Sequence, residues 1–487
     1  MRFYIGIVLF FAFVLCSSLS AQQAYKGWPL TAKTEEEERQ KAAAVSNALQ
    51  AGSIDKATFD TYFGRYYFHR WTKQDRIDQL NTYVRRDFLT NDLGRATGEA
   101  RRMLLNATVA MMKRMKSDPN VYPVAQVNAV VVLGNLYEDV GKTIPYGPAI
   151  PVLVEELQRE NAPTGNQVIA LDGLVRYAYL GIADPKARDK DLPTLFATIA
   201  NEKDVPEGWD AEIYTHFFRT KAVEGLGALC RTAKPAPGES AEGLAVVVET
   251  LLTILEDRDE KSNAVRNGAM NALAELNMIA ATAGGVELDS ARIVSAITSF
   301  ARTTCDRQQQ FIDEVKRSEQ ASVSGGMRGG MGGGMDGGMG MGGTASGSEK
   351  TIRRIQECID SSKFAFGTVQ SAIRGLAGTR NETSIIALLN KENTPASAES
   401  VKMLNEINKS IDDYIKFLNN GPPVNRRQPQ AARPGAGGAM GGMVAGGNAA
   451  PVRGNVKMPK VTLDDISSEL TVLATKFDEL ASKARGK

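Results

Sequence analysis

The chain is poor in histidine and cysteine. Its two histidines, His69 and His216, are far apart, and no His-Glu-x-x-His or Cys-x-x-Cys pair occurs. The usual ligand sets of structural and catalytic zinc are therefore missing. There is no Gly-x-Ser-x-Gly turn, and a His-dependent nucleophilic triad would have only those two histidines to draw on. The formal net charge of +2 gives no global electrostatic reason to expect a nucleic-acid partner. Past the first residues, no stretch approaches the ~20 apolar residues of a bilayer-spanning helix. No segment reads as a strand. Val130-Val131-Val132 and Val246-Val247-Val248 are β-branched, but both sit inside helical periodicity.

Met1-Arg2-Phe3-Tyr4, an apolar run from Ile5 to Cys16 and the small-residue exit Ser17 to Ala21 describe a secretory signal peptide over 1–21. Cleavage is expected after Ala21, which makes the mature protein exported, periplasmic or secreted, with no transmembrane segment. An uncleaved anchor is the alternative. A lipid anchor on Cys16 would want a small residue where Leu15 stands. Cleavage leaves Cys230, Cys305 and Cys358, too few for a disulfide framework. Cys305 and Cys358 flank one Gly-rich insertion and form the candidate disulfide. The other reading is free, buried thiols.

What the chain does have is a returning apolar pattern, Ala-x-x-x-Leu-x-x-(Leu/Tyr). It occurs at Ala129/Leu133/Leu136, Ala170/Leu174/Tyr177, Ala222/Leu226/Leu229 and Ala269/Leu273/Leu276, with a partial copy at Ala372/Leu376. Offsets of four and three place these residues on one helical stripe, and recurrence every ~40–50 residues marks stacked helix pairs. Upstream, Thr34 with Glu37 reads as a capping box. Phe59 to Tyr67, Ile77 to Phe88, and Met103, Ala107, Met111 and Met115 give further helical faces. The organisation predicted is an N-terminal helical region over 22–121, helical repeats over 122–324 and a continuation of the array over 348–420. Two segments, Gly/Met-rich 325–347 and Pro/Gly/Arg-rich 421–460, lack the apolar bulk to fold and are predicted disordered. The last segment, 461–487, starts with the box Thr462-x-x-Asp465. It carries an amphipathic seam of Leu463, Ile466, Leu470, Leu473, Phe477 and Leu480. A lone helix of this length is marginal in water, so something must cover the seam.

The repeats resemble HEAT-type or armadillo-like arrays. The resemblance rests on Val265-Arg266-x-x-Ala269-x-x-x-Leu273-x-x-Leu276 and on Ala222 to Leu229, and covers roughly 122–380. It implies an all-α, α-solenoid-like array of antiparallel helix pairs, degenerate in repeat length, with the family's arginine at Arg266 and Arg219. HEAT-like proteins are mostly binding scaffolds, so the resemblance implies a scaffold for a protein or envelope partner, not an enzyme, and no cofactor.

The chain also offers residues for other chemistries. Gly141-Lys142-Thr143 resembles the end of a phosphate loop, but Leu136 occupies the place of the first glycine and a helix precedes it. Met327, Met331, Met335, Met339 and Met341 offer soft thioethers suited to Cu(I); a plain flexible linker is the simpler reading. Aromatic residues from Phe59 to Trp71, interleaved with Arg65 and Arg70, could bind polymers but read more simply as a core face. Arg426, Arg427, Arg433, Arg453, Lys457 and Lys460 could touch anionic envelope surfaces or merely solvate a spacer. The rival functional class is a hydrolase of envelope polymers with an unrecognised carboxylate site.

Overall fold

The structure is a computed structural model that describes residues 25–232, 242–260, 262–276, 289–325, 347–376, 394–421 and 461–485. The expected leader, the five methionines of the Gly-rich tract and the basic residues from Arg426 to Lys460 lie outside the described residues. Among the described residues every regular element is helical, and the only strand-like feature is an isolated bridge between Tyr137 and Pro145. None of these helices is long and apolar enough to cross a membrane. The chain forms two compact units, with the division after Thr232. That division falls next to Pro235-Ala236-Pro237-Gly238, where the sequence suggests only a break between two pairs of one array.

The first unit contains α1 (Ala32–Ala51), α2 (Lys56–Tyr62), α3 (Ile77–Asn81), α4 (Gly98–Met115), α5 (Pro123–Leu133), α6 (Ile150–Gln158), α7 (Thr164–Leu180), α8 (Leu192–Asn201) and α9 (Arg219–Thr232). The cap of α1 is Thr31, three residues before the expected one. The Thr31 hydroxyl accepts the Thr34 N–H at 3.1 Å, which leaves Thr34 inside the helix. The acidic first turn then reaches outward: Arg76 donates to both Glu35 oxygens at 2.6 and 2.7 Å. Helix α2 is capped by Asp55, whose side chain accepts from Thr58 N–H, and runs into a wide π-type turn over Phe63–Tyr67. Tyr66, Tyr67 and Phe68 are all buried. Three consecutive inward residues exceed one straight α-helical stripe, and the chain changes its winding there. In α4 the buried stripe is Ala100, Leu104, Thr108, Met112 and Met115. Met103, Ala107 and Met111 are only half-buried, so the core face lies one residue on from the expected one. The reason is that the face also has to seat Leu105 and the Arg101 guanidinium, which donates to the carbonyls of Leu93, Tyr137, Glu138 and Asp139.

Helix α4 contacts α5, α6 contacts α7, and α8 contacts α9; in addition α5 contacts α7 and α7 contacts α9. The α5–α7 approach is as close as backbones allow. A Cβ built on Gly134 would lie 2.9 Å from the Gly173 Cα, and the reverse holds equally. The stripe residues Ala129, Leu133, Leu136, Ala170, Leu174, Tyr177, Ala222, Leu226 and Leu229 are all buried between these helices.

The second unit contains α10 (Glu242–Glu256), α11 (Asn263–Ala274), α12 (Ser290–Gly325), α13 (Gly347–Leu376), α14 (Pro395–Asn420) and α15 (Leu463–Arg485). Helices α10 and α11 contact each other, α10 also contacts α12, and α11 contacts α13. Each of α12, α13, α14 and α15 touches the other three. A stacked array gives a helix neighbours before and after it, whereas here four amphipathic helices close around a shared core, as in a bundle. Helix α12 has 36 residues and is thus about 54 Å long. That length accommodates α10 at one end and the bundle along the rest.

A candidate binding cleft

An open cleft of about 1080 Å³ lies in the first unit. One wall is the face of α6 with Val154, Leu157 and Gln158. The other is the face of α8 with Thr194, Leu195, Thr198 and Ile199. The break Pro163-Thr164 between α6 and α7 lies at one side, and the loop Pro206 to Trp209 closes an end. Local sequence explains that loop. Trp209 N–H donates to the Pro206 carbonyl at 3.2 Å, and Gly208, at φ 84°, takes the third place of a β-turn that favours glycine. Asp210 then starts the next helical turn by accepting the N–H groups of Glu212 and Ile213 at 3.0 and 2.9 Å. Trp209 is thereby set beside Phe218 and Tyr214, with ring centroids 4.5 and 5.2 Å away. Tyr214 and Phe218 are buried and Trp209 is half-buried. Burial pushes the Tyr214 hydroxyl above its ordinary pKa.

Beneath the cleft is a buried ionic cluster. Glu156 and Lys116 are both fully buried and meet at 2.9 Å. Glu156 also accepts from Arg159 at 2.6 Å and from Asn166 at 2.9 Å. Arg159 is the member that reaches the cleft lining. The lining contains Glu160, Lys190, Asp191 and Glu207 but no histidine, cysteine or serine. The lining thus joins apolar and aromatic side chains to charged and amide groups.

The sequence-predicted candidates lie elsewhere. All six seam residues, Leu463, Ile466, Leu470, Leu473, Phe477 and Leu480, are buried in the second unit, where α15 lies chiefly against α12. Four polar contacts accompany the seam. Ser295 meets Arg485, Arg302 meets Asp478, Gln309 meets Ser467 and Lys316 meets Asp464, at 3.4, 2.8, 2.7 and 2.8 Å. Thr462 and Asp465 form the reciprocal cap at the start of α15. Cys305 and Cys358 are free and buried, and Cys230 is buried. Burial pushes the Cys305 thiol far up and the Cys358 thiol up to about 11, so both resist thiolate chemistry at neutral pH. His69 Nδ1–H donates to Pro29 O, 2.7 Å away, beside the Trp28 ring, and burial lowers its pKa. His216 is exposed. The aromatic run from Phe59 to Trp71 forms a core, with Arg70 lying 4.4 Å over the Tyr67 ring. At Gly141-Lys142-Thr143 the N–H groups of Thr143 and Ile144 donate to the Asp139 carboxylate at 2.9 and 2.8 Å. The amides a phosphate would need are thus used by an internal anion.

Sequence reasoning missed the cleft. The signal that could have found it is a lone tryptophan after Pro206-Glu207-Gly208, because a large apolar ring in a turn needs a nearby surface to lie on. No protein-family model, curated protein or solved structure matches the chain.

Proposed function

We propose that the chain is an exported helical-repeat scaffold, built of degenerate HEAT-like antiparallel helix pairs, that binds a protein or other envelope partner. The observation that carries this reading is the equivalence of one position, seen in three of the four copies. Gln126, Gln167, Arg219 and Arg266 each stand three residues before the repeat alanine. Gln167 donates to Leu157 O, Arg219 to Ala200 O and Arg266 to Leu255 O. Each of those carbonyls belongs to the next-to-last residue of the preceding helix. Gln126 differs, donating to Asp118 O and Val121 O in the loop after α4. Helix ends leave carbonyls without partners, and a side chain that closes them from the same repeat position supports descent of the copies from one unit. The contacts α5–α7 and α7–α9, alongside the pairs α4–α5, α6–α7 and α8–α9, support stacking of successive pairs in the first unit. Export rests on residues 1–21.

The test uses the full chain, tagged at its C-terminus and expressed with its leader. Fractionation with N-terminal sequencing should find a mature start at Gln22. Crosslinking in the envelope should capture a partner that is lost with Trp209→Ala. Retention of the chain inside the cell, or breakdown of envelope polymer by the purified protein, would overturn the reading.

A further inference from the structure

Resting on that scaffold reading, we infer that the cleft between α6 and α8 is a docking groove for an extended, proline-rich peptide bearing arginine or lysine. Three features of the groove point to this ligand chemistry. The first is its floor. Leu157, Leu195 and Ile199 give an apolar trough, and Trp209, backed by Phe218 and Tyr214, gives an aromatic end. Polyproline segments dock on aromatic-lined grooves, and their backbone is preformed, so little order is lost on binding.

The second is the supply of donors. A polyproline backbone has no internal hydrogen bonds and presents its carbonyls outward. Gln158 and Asn161 stand exposed on the lining with amide groups that can donate to them. The third is charge. Glu160, Asp191 and Glu207 line the cleft, Asp191 also lying 3.6 Å from Lys186, and the chain on either side of the closing loop exposes Glu202, Asp204, Asp210 and Glu212 against the single cation Lys203. Of the two basic lining residues, Arg159 is paired with the buried Glu156, and Lys190 is flanked in sequence by Asp189 and Asp191. The excess of acids at the rim matches cations spaced between prolines. At about 1080 Å³ the cleft sits at or above the ~300–1,000 Å³ typical of small-molecule pockets.

The experiment uses the mature full-length protein and a fluorescein-labelled repeating Pro-Arg-Pro peptide, read by fluorescence anisotropy. Trp28 and Trp71 are each 2 % exposed, so Trp209 is the tryptophan that reports binding by a change in intrinsic emission. Saturable micromolar binding is expected, weakened about ten-fold by Trp209→Ala and by replacing the peptide's prolines with alanine. Binding should fall as salt is raised, and a Pro-Glu-Pro peptide should not bind. Glu207→Lys, an exposed change that leaves the apolar floor in place, should also weaken binding and covers the case in which Trp209→Ala unfolds the unit. Equal binding of the alanine peptide, salt-insensitive binding, or capture of an oligosaccharide such as chitotetraose in place of the peptide would overturn the inference. A crosslinked envelope partner that needs Trp209 but is not displaced by the Pro-Arg-Pro peptide would sink this inference and leave the scaffold reading standing.

Discussion

Replacing Glu156 with alanine tests the ionic cluster beneath the cleft. Glu156 is fully buried and accepts from Lys116, Arg159 and Asn166. Lys116 is fully buried as well, and its remaining partners are Glu155 at 3.3 Å and the Ser117 hydroxyl at 3.5 Å. Removing one member of a buried pair strands the other charge, at a cost of about 3–5 kcal/mol. Glu155 is close enough to recover part of this, so Glu156→Ala should cost about 3 kcal/mol. The double variant Lys116→Met/Glu156→Leu removes both charges and should cost far less than the single one, about 1 kcal/mol or below. The assay is urea unfolding followed by tryptophan emission. Trp28, Trp71 and Trp209 all fall within the first unit, so the signal reports that unit alone. With a slope of about 2 kcal/mol/M, the single variant should move the midpoint down by more than 1 M. A shift below about 0.3 M, or a double variant as unstable as the single one, would refute the argument that the cost comes from a stranded buried charge.

Three further outcomes follow from the packing and the electrostatics. Gly134→Ala should destabilise the first unit by about 1–3 kcal/mol, because its Cβ would meet backbone that cannot move aside; Gly147→Ala, with nothing within 4 Å of its Cβ, should be nearly silent in the same urea assay. Burial pushes the Asp92 carboxyl up to about 6, outweighing the Tyr67 hydroxyl and the Arg70 guanidinium that draw it down. A raised folded-state pKa means the folded state holds the proton more tightly, so this contribution is present below the unfolded value near 3.9 and is lost as pH rises through about 6. Asp92→Asn should therefore remove a fall in stability between about pH 4 and 6 and raise stability at pH 7, by at most ~3 kcal/mol, in unfolding curves taken across that range. Phe477→Ala should cost about 3–5 kcal/mol in the second unit, read as loss of helical circular dichroism at lower urea while tryptophan emission keeps its midpoint.

Most of the helices were legible because the apolar period is local. The stripe at Ala269, Leu273 and Leu276 and the cap at Thr462 need only a few neighbouring residues to be recognised. Thr31 was not recognised as a cap, since Thr34 with Glu37 offers an equally good local motif and the choice is made by a helix that begins at Ala32 and sends Glu35 to Arg76, far along the chain. The face of α4 was misplaced by one residue for a related reason: Met103 and Leu104 are both apolar, and only the neighbouring helices decide which of them faces inward. The cleft was illegible because its two walls, α6 and α8, are each an ordinary amphipathic helix, and a gap between helices leaves no motif.

The seam of α15 shows where local pattern stops carrying information. An apolar residue every three or four positions says that a helix is covered but not by what, nor in which register. A slip of α15 by two turns would still set leucines against the apolar face of α12. The polar contacts discriminate. Ser295, Arg302, Gln309 and Lys316 stand seven residues apart on α12, and their partners Arg485, Asp478, Ser467 and Asp464 follow in reverse order on α15. Displacing α15 by seven residues in one direction brings Arg302 opposite Arg485, a like-charge contact. In the other direction Arg302 faces Thr471 and loses its carboxylate. Exposed ion pairs contribute only about 0–1 kcal/mol each, so these contacts add little to stability. Their effect is on the difference between registers, because a pairing gained in one arrangement becomes repulsion in another. Burial of Leu470 and Phe477 therefore accounts for the docking of the helix, and Asp478 with Asp464 for its position along α12.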